Sequence, residues 1–391
     1  MLPNAPTPAT ALREARDVRI QEGWAYAWFA YDVGHQIDLD AAQRRVAAGV
    51  EREQIRHERR APSYLQFQPA PVRIADDGPP ITLGALQTDS HVEATLYDFG
   101  AVSIAYRIPM GERRIDELVD VACALDENAL LLADSKKRVA RLVEALGDAI
   151  GAPRIADLVE DYAVFHVQRW APGSDPAAII DGRRDLIART LRAEREGLRE
   201  NEVADALQFR ISYGPRDDLV IDWNGAFLFD AKGEDTLAVL EFANVELLEM
   251  RYLDDRLDEA LDRSYDILRS RGRSWWRRRR TDLRESLRRV AQLQLENALL
   301  FESVNNAIKM LGDQFLARVY RLAARRLHLD DWDASILRKL ETLDSIYAKL
   351  SDEQDSRRME LLEWIIILLI LVSIVLPMLS PYFPILRGAG H

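Results

Sequence analysis

Residues Arg273 to Arg280 read RSWWRRRR. Trp275 and Trp276 can stack on bases, and Arg277, Arg278, Arg279 and Arg280 can pair with phosphates of RNA. The same residues also suit a lipid interface, with indoles at headgroup depth and guanidinium groups on anionic lipid. Between Arg269 and Arg289 ten arginines meet only Asp282 and Glu285, a local excess of +8 in a chain of net charge −12. The plain alternative is a solvated helix start. Four cations in a first turn oppose the helix dipole, however, so that reading needs a compensating partner.

Elsewhere the chemistry is sparse. The sequence holds no G-x-x-x-x-G-K-[ST] loop and no G-x-G-x-x-G after a strand. Its six histidines are scattered, without H-E-x-x-H or Cys/His ligand spacing. His166 lies in the strand-like YAVFHVQRW and reads as a core or half-exposed histidine. Ser103, Ser212 and Ser303 lack a nucleophile-elbow context. Asp217-Asp218 follows Gly214-Pro215 and reads as turn chemistry, and Asp254-Asp255 as a helix surface. Cys123, the single cysteine, sits in VDVACAL and reads as a small core residue in a reducing compartment. No catalytic, cofactor-binding or metal-ligating residue is assigned, and the expected function is non-enzymatic.

The elements that would position these groups follow from composition and period. A length of 391 residues and 48% hydrophobic content suit a folded body of two ordinary domains. The acidic balance argues against coating nucleic acid along the whole chain. Residues 1–22 have no apolar signal core and read as a flexible arm. Residues 23–235 mix strands and helices without strict βαβ alternation, which predicts an α+β domain. WAYAWFAYDVG alternates as a strand, and LDAAQRRVAAGVEREQIRHERR reads as one amphipathic helix opening at Asp38. HVEATLYDFGAVSIAYRIPM predicts a hairpin turning at Asp98-Phe99-Gly100. Helices are expected at about 113–127, 135–150 and 175–205, and LQFRISYGPRDDLVIDWNGAFLFD gives two strands.

From 236 to 362 the pattern is helical. Leu283, Leu287, Val290, Gln294, Asn297, Phe301, Val304, Ile308 and Leu311 keep a 4-3 spacing. So do Ile336, Leu340, Leu343, Tyr347, Leu350, Gln354, Arg357 and Leu361. Such seams predict a long antiparallel helical stalk, paired within the chain or between copies as a homo-oligomer.

The uncharged run Trp364 to Leu386 predicts a single C-terminal transmembrane helix within 363–386, followed by a short tail, 387–391. Its anchor residues are Glu363, Trp364, Ile365, Ile366, Ile367, Leu368, Leu369, Ile370, Leu371, Val372, Ser373, Ile374, Val375 and Leu376. Arg357 and Arg358 before the run, against Arg387 after it, place the N-terminal body in the cytoplasm of a bacterial inner membrane.

ELLEMRYLDDRLDEAL (246–261), LEWIIILLI (362–370), YAVFHV and YDFGAVSI together resemble the required-for-meiotic-nuclear-division family, also called domain of unknown function 155. The likeness spans roughly 24–376, with Glu363-Trp364 as its most specific element. It implies a C-terminal membrane anchor and, through mitochondrial relatives, support of translation at a membrane. Ser373 stands where that family often places an intramembrane acid. No catalytic residues come with the resemblance.

A helix of about 50 Å from Asp331 to the membrane entry would lie against one of about 55 Å from 275 to 311. An antiparallel pairing then puts RSWWRRRR beside the bilayer. The expectation is a tail-anchored scaffold or adaptor that presents its α+β domain to a protein partner, with anionic lipid at the patch. The alternative is an RNA- or ribosome-binding factor at the membrane.

Overall fold

The computed structural model describes residues 18–49, 55–60, 70–171, 175–269, 285, 287–298, 300–302 and 314–379. Their chain separates into two compact units. One holds the described residues up to Arg256 and from Leu293 to Ile336; the other holds Leu257 to Gln292 and those from Leu337 onward.

The first unit is α+β, built on a large mixed sheet. Its central strand, β1 (Ile20–Asp32), carries five aromatics, Trp24, Tyr26, Trp28, Phe29 and Tyr31, in an almost uninterrupted β pattern. β1 pairs antiparallel with β8 (Ala101–Pro109) on one side and β10 (Val159–Trp170) on the other. Beyond β8 come β7 (Val92–Leu96), β4 (Val72–Asp76) and β3 (Ile55–Arg60); beyond β10 come β13 (Gly225–Phe229), β12 (Asp218–Ile221) and β11 (Phe209–Ile211). Only β10 and β13 run parallel among the described pairs, so the chain between them must cross over. Two short ladders complete the unit, β2 (Gln36–Ile37) with β9 (Ile150–Gly151) and β5 (Thr82–Leu83) with β6 (Leu86–Gln87).

Alternation divides the sheet between two different neighbours. Ala25, Ala27, Phe29 and Tyr31 share a core with Ile104, Tyr106, Ile108, Phe165 and Val167. That core includes residues of α1 (Leu39–Gly49), α2 (Leu118–Leu125), α3 (Ala129–Leu146), α4 (Pro176–Gly182), α5 (Arg184–Arg192) and α6 (Glu200–Ala206). The Tyr31 hydroxyl meets that of Ser135 at 2.5 Å, and Tyr106 donates to Asp134 at 2.7 Å, which fixes α3 to the sheet. Asn128 opens α3 by accepting from the amides of Leu130 and Leu131 at 3.0 and 3.1 Å. Asn128→Ala is expected to cost about 1 kcal/mol, read as a lower urea midpoint; an unchanged midpoint would mean the cap contributes nothing.

The opposite face presents Trp28, stacked on Tyr162, together with Thr95, Ser103 and His166. Over it lies α7 (Glu234–Arg269), through contacts such as Phe242 with Tyr97 and Phe99. α8 (Gln314–Arg326) and the start of α9 (Leu329–Leu379) follow in sequence, and Phe242 reaches Tyr320 of α8.

The turn expected at Asp98-Phe99-Gly100 joins β7 to β8. Gly100 has φ +102°, and a Cβ there would stand 2.0 Å from the carbonyl oxygen of Gly34. The helix expected from Asp38 to Arg60 ends at Gly49, and Ile55–Arg60 is instead strand β3 at the sheet edge. The stretch 207–230 holds three strands rather than two.

The second unit is helical among its described residues. Leu257, Ala260, Val290, Leu340, Leu343 and Tyr347 are buried, and Lys339 pairs with Asp258 at 2.6 Å. Leu340, Leu343 and Tyr347 keep their 4-3 spacing as buried residues here, and Ile336, also buried, belongs to the first unit. The earlier seam shifts, since Leu287 and Phe301 are exposed while Leu293 and Leu300 are buried.

The membrane expectations are corrected here. Among the described residues no helix is long and apolar enough to cross a membrane. From Trp364 the described helix continues to Leu379. Trp364 to Leu371 are exposed on that helix, and residues 380–391 lie outside the described residues. The transmembrane anchor over Glu363–Leu376, the tail-anchored scaffold, the inner-membrane location and the membrane partner lose their basis together. The same finding removes the RNA or ribosome factor at a membrane. Trp275, Trp276 and Arg277–Arg280 lie outside the described residues.

Candidate functional site

Between Thr236 and Met250 every residue of α7 is buried. A helix enclosed on all faces is expected to be apolar all round. LAVLEFANVELLEM nearly is, yet it carries Glu241, Asn244, Glu246 and Glu249 into the interior. Each buried carboxyl must find a partner or stay protonated, and the three glutamates meet different surroundings.

Glu241 faces the sheet. Its carboxylate stands 3.6 Å from the guanidinium of Arg73, which also binds Glu93 at 3.0 Å. Burial raises the Glu241 pKa above the usual carboxyl range, with Arg73 pulling the other way.

Glu249 faces a polar cluster at the end of β1. Asp32 receives Arg154 Nη2 at 3.1 Å. A second contact, Nε to Oδ1, is also 3.1 Å but too misaligned for a hydrogen bond. His35 Nδ1 lies 2.9 Å from Arg154 Nη1 and 2.6 Å from Glu296 Oε1. One nitrogen can accept from the guanidinium or donate to the carboxylate, not both. Burial lowers the His35 pKa, with Glu296 opposing, and so favours the neutral imidazole, whose tautomer decides which of the two contacts forms. Burial pushes Asp32 up to about 6 despite Arg154, and pushes Glu249 well above its ordinary value. Arg154 also lies over the Tyr252 ring at 5.1 Å. The cavity among these groups is about 20 Å³. That is room for a water molecule and not for an organic ligand, so the cluster reads as a fastening between strand and helix.

Glu246, 1% exposed, faces the roomier space. Tyr320 of α8 donates to its Oε2 at 2.7 Å. Around them is a cavity of about 410 Å³, lined by Met250, Asn297, Leu300, Phe301, Arg321, Ala324, Arg325, Leu329, Asp330 and Asp333. Burial raises Glu246 to about 8, the Tyr320 bond acts against this, and Asp330 and Asp333 add to it. Glu246 is therefore a neutral acid at pH 7. Burial, then Asp330, raises Asp333 as well. Leu300 forms part of the wall of both cavities.

The residues singled out in the sequence lie elsewhere. His166 is buried, and its Nε2–H donates to the Asp230 carbonyl at 2.8 Å. Cys123 donates its thiol to the Ala193 carbonyl at 3.0 Å, and burial raises its pKa, which disfavours a thiolate. Asp217 accepts from the amides of Tyr213 and Gly214, both at 2.7 Å, as turn chemistry requires. Asp254 is buried and accepts from Ser335 at 3.2 Å, unlike the helix surface expected of it. Among the described residues no group of His, Cys, Asp or Glu is arranged to hold a metal ion. Glu246, Tyr320 and Asp333 were missed by motif reading. The available signal was a set of acids inside a stretch too apolar to face water.

The family described as the N-terminal domain of the uncharacterized protein MJ0711 matches residues 22–236. The uncharacterized protein MJ0711 of Methanocaldococcus jannaschii is 24% identical over 221 residues, covering 56% of this chain. The match spans 66% of that relative's length, just under two thirds. No solved structure matches the chain. The family match ends within the first turn of α7, so it includes Asp32, His35 and Arg154 but not Glu246 or the cavity around it. Nothing in these comparisons points to the required-for-meiotic-nuclear-division family. That likeness rested on ELLEMRYLDDRLDEAL, LEWIIILLI, YAVFHV and YDFGAVSI, and the last two fall inside residues 22–236, which match the other family.

Proposed function

The chain belongs to the family of the N-terminal domain of the uncharacterized protein MJ0711 through residues 22–236, and we propose that beyond those residues it carries a small-molecule binding site without catalysis. The carrying observation is the cavity of about 410 Å³ beside Glu246 and Tyr320, within the roughly 300–1,000 Å³ of ligand sites. Its lining has the composition of such sites. Met250, Leu300, Phe301 and Leu329 give an apolar body, and Asn297, Glu246 and Tyr320 give a few convergent polar groups. Binding is favoured over catalysis because Glu246 and Tyr320 hydrogen-bond to each other rather than activate a nucleophile.

The test is a thermal-shift and native mass-spectrometry screen of the full chain against organic fragments of either charge. At least one fragment is expected to bind one-to-one and raise Tm. Ala324→Trp, which drives an indole into the cavity, should abolish that binding while circular dichroism remains native. Failure of every fragment to bind, or binding indifferent to both Ala324→Trp and the milder Ala324→Leu, would overturn the proposal.

A further inference from the structure

The cluster at the end of β1 holds three buried polar atoms that no protein group satisfies: Asp32 Oδ1, Arg154 Nε and Glu249 Oε1. Asp32 and Glu249 are only 2% and 9% exposed, so bulk solvent does not serve them. One buried polar atom without a partner destabilises a fold, and three at one place share a cause.

They do not satisfy one another. Two are carboxyl oxygens, which accept when ionised. The one donor, Arg154 Nε, lies 3.1 Å from Asp32 Oδ1 but is too misaligned to bond it. Other contacts hold the guanidinium in that orientation. Its Nη2 donates to Asp32 at 3.1 Å, its Nη1 lies 2.9 Å from His35 Nδ1, and it rests over the Tyr252 ring. Glu296 is engaged by His35 at 2.6 Å, and Arg256 donates to the Tyr252 hydroxyl at 2.6 Å.

Asp32, Arg154 and Glu249 line one cavity of about 20 Å³. A single water needs roughly 10–15 Å³ and two to four polar partners. The chemistry of the three atoms selects among small occupants. Two acceptors and one donor face the space, so its occupant must both donate and accept. An ammonium ion has no lone pair for the Arg154 N–H, and a halide has no hydrogen for the carboxyl oxygens. Water offers both, in the right numbers.

We propose that one water molecule is a fixed part of the fold at this point, donating to Asp32 Oδ1 and Glu249 Oε1 and accepting from Arg154 Nε. It joins β1 and the segment after β9, both within the residues that match the family, to α7 beyond them. This joint is separate from the larger cavity and holds whether or not that cavity takes a ligand.

Two measurements on the full chain test it. A high-resolution crystal structure should show one water within about 3.2 Å of all three atoms. Magnetic relaxation dispersion of water oxygen counts long-lived internal waters in solution. Glu249→Leu, which removes one acceptor and fills the space, should lower that count by one while circular dichroism remains native. Leu253→Phe, which fills the same cavity from α7 without touching the three polar groups, should do the same and serves if Glu249→Leu does not fold. A dry cavity, an ion in it, or Glu249 bonded directly to Asp32 or Arg154 would overturn the proposal. So would a count that neither substitution changes.

Discussion

Glu246→Gln is expected to leave stability unchanged near pH 4 and to raise it by on the order of 4 kcal/mol at pH 8.5. Glutamine keeps the shape of the protonated acid and can still accept from Tyr320, so nothing is lost when the wild-type group is neutral. In the wild type the Glu246 pKa is raised from 4.5 to about 8. The folded state then holds a proton that the unfolded state has released, so stability falls as pH rises through the window from about 4.5 to 8. Glutamine does not titrate and escapes that loss. Urea unfolding of both proteins at pH 4 and pH 8.5 measures the effect as a difference of differences. An equal offset at the two pH values would show that Glu246 is not held neutral by its surroundings. Tyr320 cannot take over as the titrating group, because burial raises its own pKa too.

Removal of Arg326 has a comparable effect of opposite sign. Asp222, 0% exposed, accepts from Arg326 Nε at 2.7 Å, from its Nη2, from Arg192 Nε at 2.9 Å and from the Trp223 amide at 2.9 Å. Arg326 also reaches Asp205 at 2.8 Å and lies over the Phe209 ring at 5.4 Å. It thereby ties the end of α8 to the β12–β13 turn and to α6. Arg326→Leu leaves a carboxylate in the interior with half of its cationic partners, and about 3–5 kcal/mol of stability is expected to go with it. Asp205 is half exposed, so Asp205→Asn should cost no more than about 1 kcal/mol. Both are read from the urea midpoint. A loss below about 1 kcal/mol for Arg326→Leu would mean that Arg192 alone compensates Asp222.

Much of the sheet domain is legible from pattern. WAYAWFAYD declares itself a strand by its aromatics, and Gly100 marks the β7–β8 turn because few other residues tolerate that φ. IRHERR is not legible in this way. Its charges suit a helix face equally well, and it becomes a strand at the sheet edge, where charged residues block further pairing. The helical seam misled for a related reason. A 4-3 spacing fits both Leu287 with Phe301 and Leu293 with Leu300, and only the packing decides which pair is buried. The cavity was the least legible feature. Its carboxyl on α7 and its hydroxyl on α8 are 74 residues apart, and no spacing rule joins them.

The position of β1 between β8 and β10 also sets an order of events for a growing chain. Its first neighbour is complete at Pro109, its second only at Trp170, almost 140 residues after β1 itself. At roughly 5–20 residues per second, that delay is on the order of ten seconds. Through it, an aromatic strand waits with both edges open until β8 is made and with one open after that. A chain halted before Val159 lacks β10 and leaves that edge of β1 unpaired.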